Sequence, residues 1–132
     1  LAYSDDLNNL LLSMANEDEI VMLEKLNSMY EKIVSFRETY SEDKNLIEKN
    51  KIKSQVLKSY YLSNKEDYET AKSDLDGTIE KYKELMKDED YKKENSYNMN
   101  KIYILLQEYK NSISIGNLDL IKMKFILTVE DL

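Results

Sequence analysis

The residues that most often do chemistry near neutral pH are missing from this chain. It has no His and no Cys. Without imidazole there is no ordinary general base, no Ser-His-Asp triad, no HExxH hydrolase site and no His-held haem or di-iron centre. Without thiol there is no disulfide framework, thiolate nucleophile or thiolate-bound cluster. Six methionines remain as soft ligands. Met14, Met22, Met29, Met86, Met99 and Met123 are dispersed and read as packing side chains. Carboxylates are abundant, with 26 Asp and Glu in all. Asp74 and Asp76 diverge around a helix, while Glu66, Asp67 and Glu69 cluster where acids suit the positive end of a helix dipole. Asp88, Glu89 and Asp90 lack the alternating oxygen ligands and central Gly of a calcium loop. With two isolated glycines, Gly77 and Gly116, no phosphate-cradling loop can be written. The chain is therefore expected to be non-enzymatic and to need no cofactor or metal.

Two groups could bind without catalysing. Lys49, Lys51, Lys53 and Lys58 lie close to Tyr60 and Tyr61, but Lys51 leaves the face shared by Lys49 and Lys53, and Glu48 dilutes the patch. Nucleic-acid binding is not expected. The stronger feature is eleven Tyr against two Phe. A tyrosine covers apolar surface while its hydroxyl reaches water or a partner, which suits interfaces. Tyr60, Tyr61, Tyr68, Tyr97 and Tyr103 form the candidate interaction surface, with Tyr82 and Tyr109 as further positions of interest. A purely structural use of these tyrosines in helix packing stands beside that reading.

The elements that must position these residues are helices. The chain has no Pro, and Lys, Glu, Leu and Met, all good helix formers, are frequent. Tyr3, Leu7, Leu10 and Leu11 open a short helical segment behind Ser4 and Asp5. Asn16, followed by Glu17, Asp18 and Glu19, reads as a fresh start. A long helix then carries Ile20, Leu23, Leu26, Tyr30, Ile33, Arg37 and Tyr40 inward, with Arg37 at the edge of the stripe. Ser41 to Asp43 lead to a second helix with Leu46, Ile47, Val56, Leu57, Tyr60 and Tyr61, whose stripe is weakened by lysines. Ser63 and Glu66 have capping-box spacing before a third helix bearing Tyr68, Ala71, Leu75, Ile79, Tyr82 and either Leu85 or Met86. Gly77 interrupts that helix, either as a tolerated polar-face residue or where another backbone comes close. A fourth helix begins at Asp88 and buries Tyr91, Met99, Ile102, Leu105, Leu106, Tyr109 and Ile113. Gly116 and Asn117 mark the clearest boundary, a left-handed C-terminal residue followed by a new cap. Leu118, Ile121, Phe125 and Val129 continue helically, with a terminal strand as the alternative.

The fold class is all-α, an antiparallel bundle of four to five amphipathic helices, with a short helical-hairpin solenoid as the alternative. Residues 1–132 read as one domain, taken as a piece of a longer or processed protein because the first residue is Leu1. The net charge of −7 resides entirely in residues 1–43, which disfavours nucleic acid and anionic membranes and suits a basic partner. No apolar run is long enough to span a bilayer. The texture of the chain resembles extracytoplasmic helical bundles of sensors and lipoproteins from low-GC bacteria, which implies an extracytoplasmic or cell-surface location. The expected role is an interaction or scaffold domain that presents its Tyr-rich face to a protein, as a monomer or weak homodimer. The alternative is an extracytoplasmic bundle that senses a ligand between its helices.

Overall fold

A computed structural model describes residues 19–132, so the expected helix at Tyr3 to Leu11 and the Asn16 cap lie outside the described residues. Six helices and no strand are found among the described residues. They are α1 (Glu19–Tyr40), α2 (Lys44–Asn64), α3 (Tyr68–Leu85), α4 (Glu89–Asn95), α5 (Met99–Ile115) and α6 (Leu118–Asp131). Each of four starts is fixed by a side chain that accepts from a free backbone amide. Asp43 accepts from Leu46, Asp67 from Thr70, Asp88 from Tyr91 and Asn117 from Leu120. Gly116 closes α5 in the left-handed conformation at φ 76°, where a Cβ would be strained. The C-terminal segment is helical, not a strand.

Two boundaries differ from the sequence reading. The capping pair at Ser63 and Glu66 does not form. Ser63 is buried inside α2 and donates to the Ser59 carbonyl at 2.7 Å, leaving Asp67 as the cap. The expected fourth helix is divided into α4 and α5. Asn95 donates its side-chain amide to the Tyr91 carbonyl at 2.9 Å, and the Asn98 amide bonds to the Asn95 carbonyl at 3.2 Å. Local polar bonds of this kind compete with the helical ladder and turn the chain there.

Cross-helix ion pairs show the antiparallel arrangement directly, because residue numbers rise on one helix as they fall on its neighbour. Glu48 meets Lys81 at 3.2 Å and Lys58 meets Asp74 at 3.7 Å between α2 and α3. Lys101 meets Asp131 at 3.2 Å and Glu108 meets Lys124 at 3.3 Å between α5 and α6. Helices α2, α3, α5 and α6 pack as a closed ring in which each touches the next and α6 returns to α2. That closure makes the molecule a bundle and rules out the solenoid, whose units touch only their sequence neighbours. The short α4 crosses from α3 to α5, with Tyr91 set edge-on against Tyr82 at 6.4 Å between ring centroids. Helix α1 lies outside the ring along α2, and Glu19 ties its start to Lys122 of α6 at 2.9 Å.

Buried side chains from all six helices form one cluster. At its centre Phe125 stacks on Tyr60 at 4.2 Å, and the ring of Tyr109 tilts against Phe125 at 6.1 Å. Tyr109, fully buried, donates its hydroxyl to the Val56 carbonyl at 3.2 Å, so α2, α5 and α6 are joined by one aromatic group with a satisfied polar atom. Arg37, placed at a stripe edge from sequence, is instead buried at 8% exposure and donates Nη1 to Asn50 Oδ1 across the α1–α2 interface. Tyr40 and Ile20, expected inward, are exposed because they lie at the ends of α1 beyond its contact with α2.

Burial raises the Tyr60 phenol to about 12, with the Glu19 charge adding to the effect, and raises Tyr91 to about 12. Tyr82 and Tyr109 are raised as well, again chiefly by burial. A phenol whose folded pKa lies above its unfolded value stabilises the fold fully below about pH 10, and that contribution is lost as pH rises from about 10 towards 12. A spectrophotometric titration of phenolate, followed alongside far-ultraviolet circular dichroism, tests this. Tyr60, Tyr91 and Tyr109 should ionise only together with loss of the helical circular-dichroism signal. Ionisation of Tyr60, Tyr91 and Tyr109 near pH 10, with helicity intact, would contradict this core.

Candidate functional site

The five tyrosines proposed as an interaction surface do not form one face. Tyr60 is in the core at 3% exposure, stacked on Phe125. Tyr61 is half-buried with the Lys65 ammonium 5.3 Å from its ring centroid, and Tyr68 packs partly against the core. Tyr103, on α5, accepts a hydrogen bond from Gln107 at 3.0 Å and lies beside Lys83 of α3. Tyr97 is 89% exposed in the turn between α4 and α5. The lysines near Tyr60 are likewise dispersed. Lys53 is buried at 2% exposure, Lys51 pairs with Glu38 and Glu48, and Lys58 pairs with Asp74.

The concave feature lies elsewhere. Helices α1 and α3 each pack along α2 far more than along one another, which leaves a trough with α2 as its floor. This open groove has a volume of about 660 Å³. Glu31, Ser35 and Glu38 form its α1 wall, Ile52, Ser54 and Gln55 its floor, and Ser73, Gly77 and Thr78 its α3 wall. Both walls run for about two helical turns, or about 12 Å.

The sequence builds this surface from small and charged side chains. At one end four alternating charges cross all three helices. Glu38 meets Lys51 at 3.4 Å, Lys51 approaches Glu48 at 3.9 Å, and Glu48 meets Lys81 at 3.2 Å. Asp74, paired with Lys58, stands farther along the α3 wall. All of these pairs are partly exposed, so they set the positions of the walls more than they add stability. In the middle, Gly77 faces space in which an added Cβ would meet no atom within 4 Å. No backbone of the described residues approaches it, and the position opens onto the groove.

No match was found among protein-family models, curated proteins or solved structures. The site is therefore read from its own chemistry. Among the described residues no group of three or more acids is close enough to hold a metal ion, and no helix is long and apolar enough to cross a membrane. Sequence reasoning singled out Gly77 and Asp74 but did not join them to α1. A usable signal was present in the exposed Glu24, Glu31 and Glu38, which recur every seven residues and so share one side of α1.

Gly77→Ala should raise stability by up to about 1 kcal/mol, because the helix gains propensity and the new methyl group meets open space. Chemical denaturation of the two proteins measures this. A loss of stability would mean that the groove is closed by a close backbone contact at Gly77.

Proposed function

We propose that this chain is a non-enzymatic helical binding domain that takes a segment of another polypeptide into the groove between α1 and α3. The observation that carries the reading is the shape of that groove: polar and open along its length between two helices that both pack on α2. A small ligand lying there would leave much of its surface in water, whereas small-molecule sites bury roughly 70–90% of their ligand. A polypeptide segment can use the whole length of such a trough, with contacts from both walls and the floor. The mixed charges and hydroxyls favour specificity through matched polar contacts over broad apolar adhesion. Exposed aromatic side chains also occur, with Phe36 and Tyr40 paired at 4.8 Å on α1 and Tyr97 between α4 and α5, but none of them lines the groove.

A displayed library of random peptides selected on the intact chain tests this reading. The selected peptides should lose at least about tenfold in affinity when Gly77→Trp fills the groove. They should be indifferent to Tyr97→Ala and Phe36→Ala. Peptides that respond to Tyr97→Ala or Phe36→Ala and ignore Gly77→Trp would place the binding surface on the exposed aromatics and overturn the proposal.

A further inference from the structure

The hairpin formed by α2 and α3 is shared by two sets of neighbours. On one side α5 and α6 complete a four-helix ring with it. On the other side only α1 is present along α2, and the groove occupies the position that a fourth helix would take. We infer that the occupant is a single amphipathic helix of a partner protein, running antiparallel to α1 and α3, with Lys or Arg at seven-residue spacing along its α1-facing edge. This inference rests on the groove reading above and makes its occupant specific.

Three observations support it. First, α1 and α3 are both antiparallel to α2, so an up-and-down arrangement has one free corner of one direction. A helix placed there satisfies its own backbone bonds, which an extended segment between two helices does not. Second, the α1 side of the groove is a rail of exposed acids. Glu31 and Glu38 line the groove two turns apart, Glu24 continues the row on the same side of α1 beyond the groove's end, and while Glu38 pairs with Lys51, neither Glu24 nor Glu31 forms an ion pair within the described residues. Cations spaced by seven on a facing helix would match this rail in register. Third, the opposite wall is low. Ser73 and Gly77 stand one turn apart on the α3 wall, and Gly77 presents bare backbone to open space, so a helix can approach closely there. On the floor Ser54 and Gln55 line the groove and offer polar groups for the occupant to meet.

The test uses the intact chain, isotope-labelled, titrated with designed peptides of about 20 residues, long enough for a helix to form on binding. The first is Ala-based with Lys every seventh position. The second is the same peptide with a central Pro, and the third has Glu in place of Lys. The first should shift amide resonances of α1, α3 and the α2 floor and become helical, while the other two bind at least about tenfold more weakly. The double variant Glu24→Lys, Glu31→Lys changes two exposed side chains and should weaken the first peptide by about tenfold or more with the fold unchanged. Equal binding of the Pro peptide would overturn the helical occupant while leaving a polypeptide groove standing. Undiminished binding to the double variant would overturn the basic edge. If no peptide shifts groove resonances, the helix inference and the groove reading both fall.

Discussion

Helix α2 is the member against which the others are placed, and its hold on α5 and α6 depends on one aromatic group. Phe125 lies flat on Tyr60 at 4.2 Å, and the Tyr109 hydroxyl reaches the Val56 carbonyl at 3.2 Å. The stack buries large apolar area, while the hydroxyl fixes depth and rotation, since a phenol buried without a partner would cost about 1–3 kcal/mol. Because α2 has neighbours on several sides, it also buries Asn50, Lys53, Ser54, Ser59 and Ser63. Ser59 and Ser63 satisfy their hydroxyls on carbonyls one turn back, at 2.9 and 2.7 Å, and Asn50 accepts from Arg37. Bonds of this kind let a helix carry polar groups inside a protein.

The groove is a consequence of that central position. With α3 and α6 already beside α2, α1 attaches to the remaining outer side through Leu23, Leu26, Tyr30 and Val34. Its contact with α2 is held by the buried Arg37–Asn50 bond and its start by Glu19–Lys122. Nothing draws α1 against α3, because the facing surfaces are Glu31, Ser35 and Glu38 on one and Ser73, Gly77 and Lys81 on the other. Apolar side chains at those positions would have collapsed the trough. Polar and small ones keep it wet and open, and the chain of charges from Glu38 through Lys51 and Glu48 to Lys81 bridges its walls at a set spacing.

Much of the fold was legible because single-sided helices write their burial into sequence. The stripes of α1, α3 and α5 gave Leu23, Leu26, Tyr30, Leu75, Ile79, Ile102, Leu106 and Ile113, and Gly116 with Asn117 marked a boundary that the structure keeps. Helix α2 was less legible for the opposite reason: a helix with neighbours on several faces has no single stripe. That is why Tyr60 read as a surface residue and Lys53 as a solvated one, although both are buried. The division of α4 from α5 was hidden because it comes from side-chain bonds of Asn95 and not from a Gly or Pro. The groove could not be read at all from any one helix. Its walls come from residues some forty positions apart, and only the packing of α1 and α3 on a common neighbour brings them together.

The central claim is that α1 packs along α2, outside the ring that the other long helices close, and native-state hydrogen exchange measures it most directly. Amides of α2 around Val56 to Tyr60, together with those of α5 and α6 near Tyr109 and Phe125, should exchange only through global unfolding. Amides of α1 should exchange through a lower-energy opening that leaves the ring folded. Protection of α1 equal to that of α2, lost in the same global step, would contradict an open corner beside α1 and the groove that depends on it.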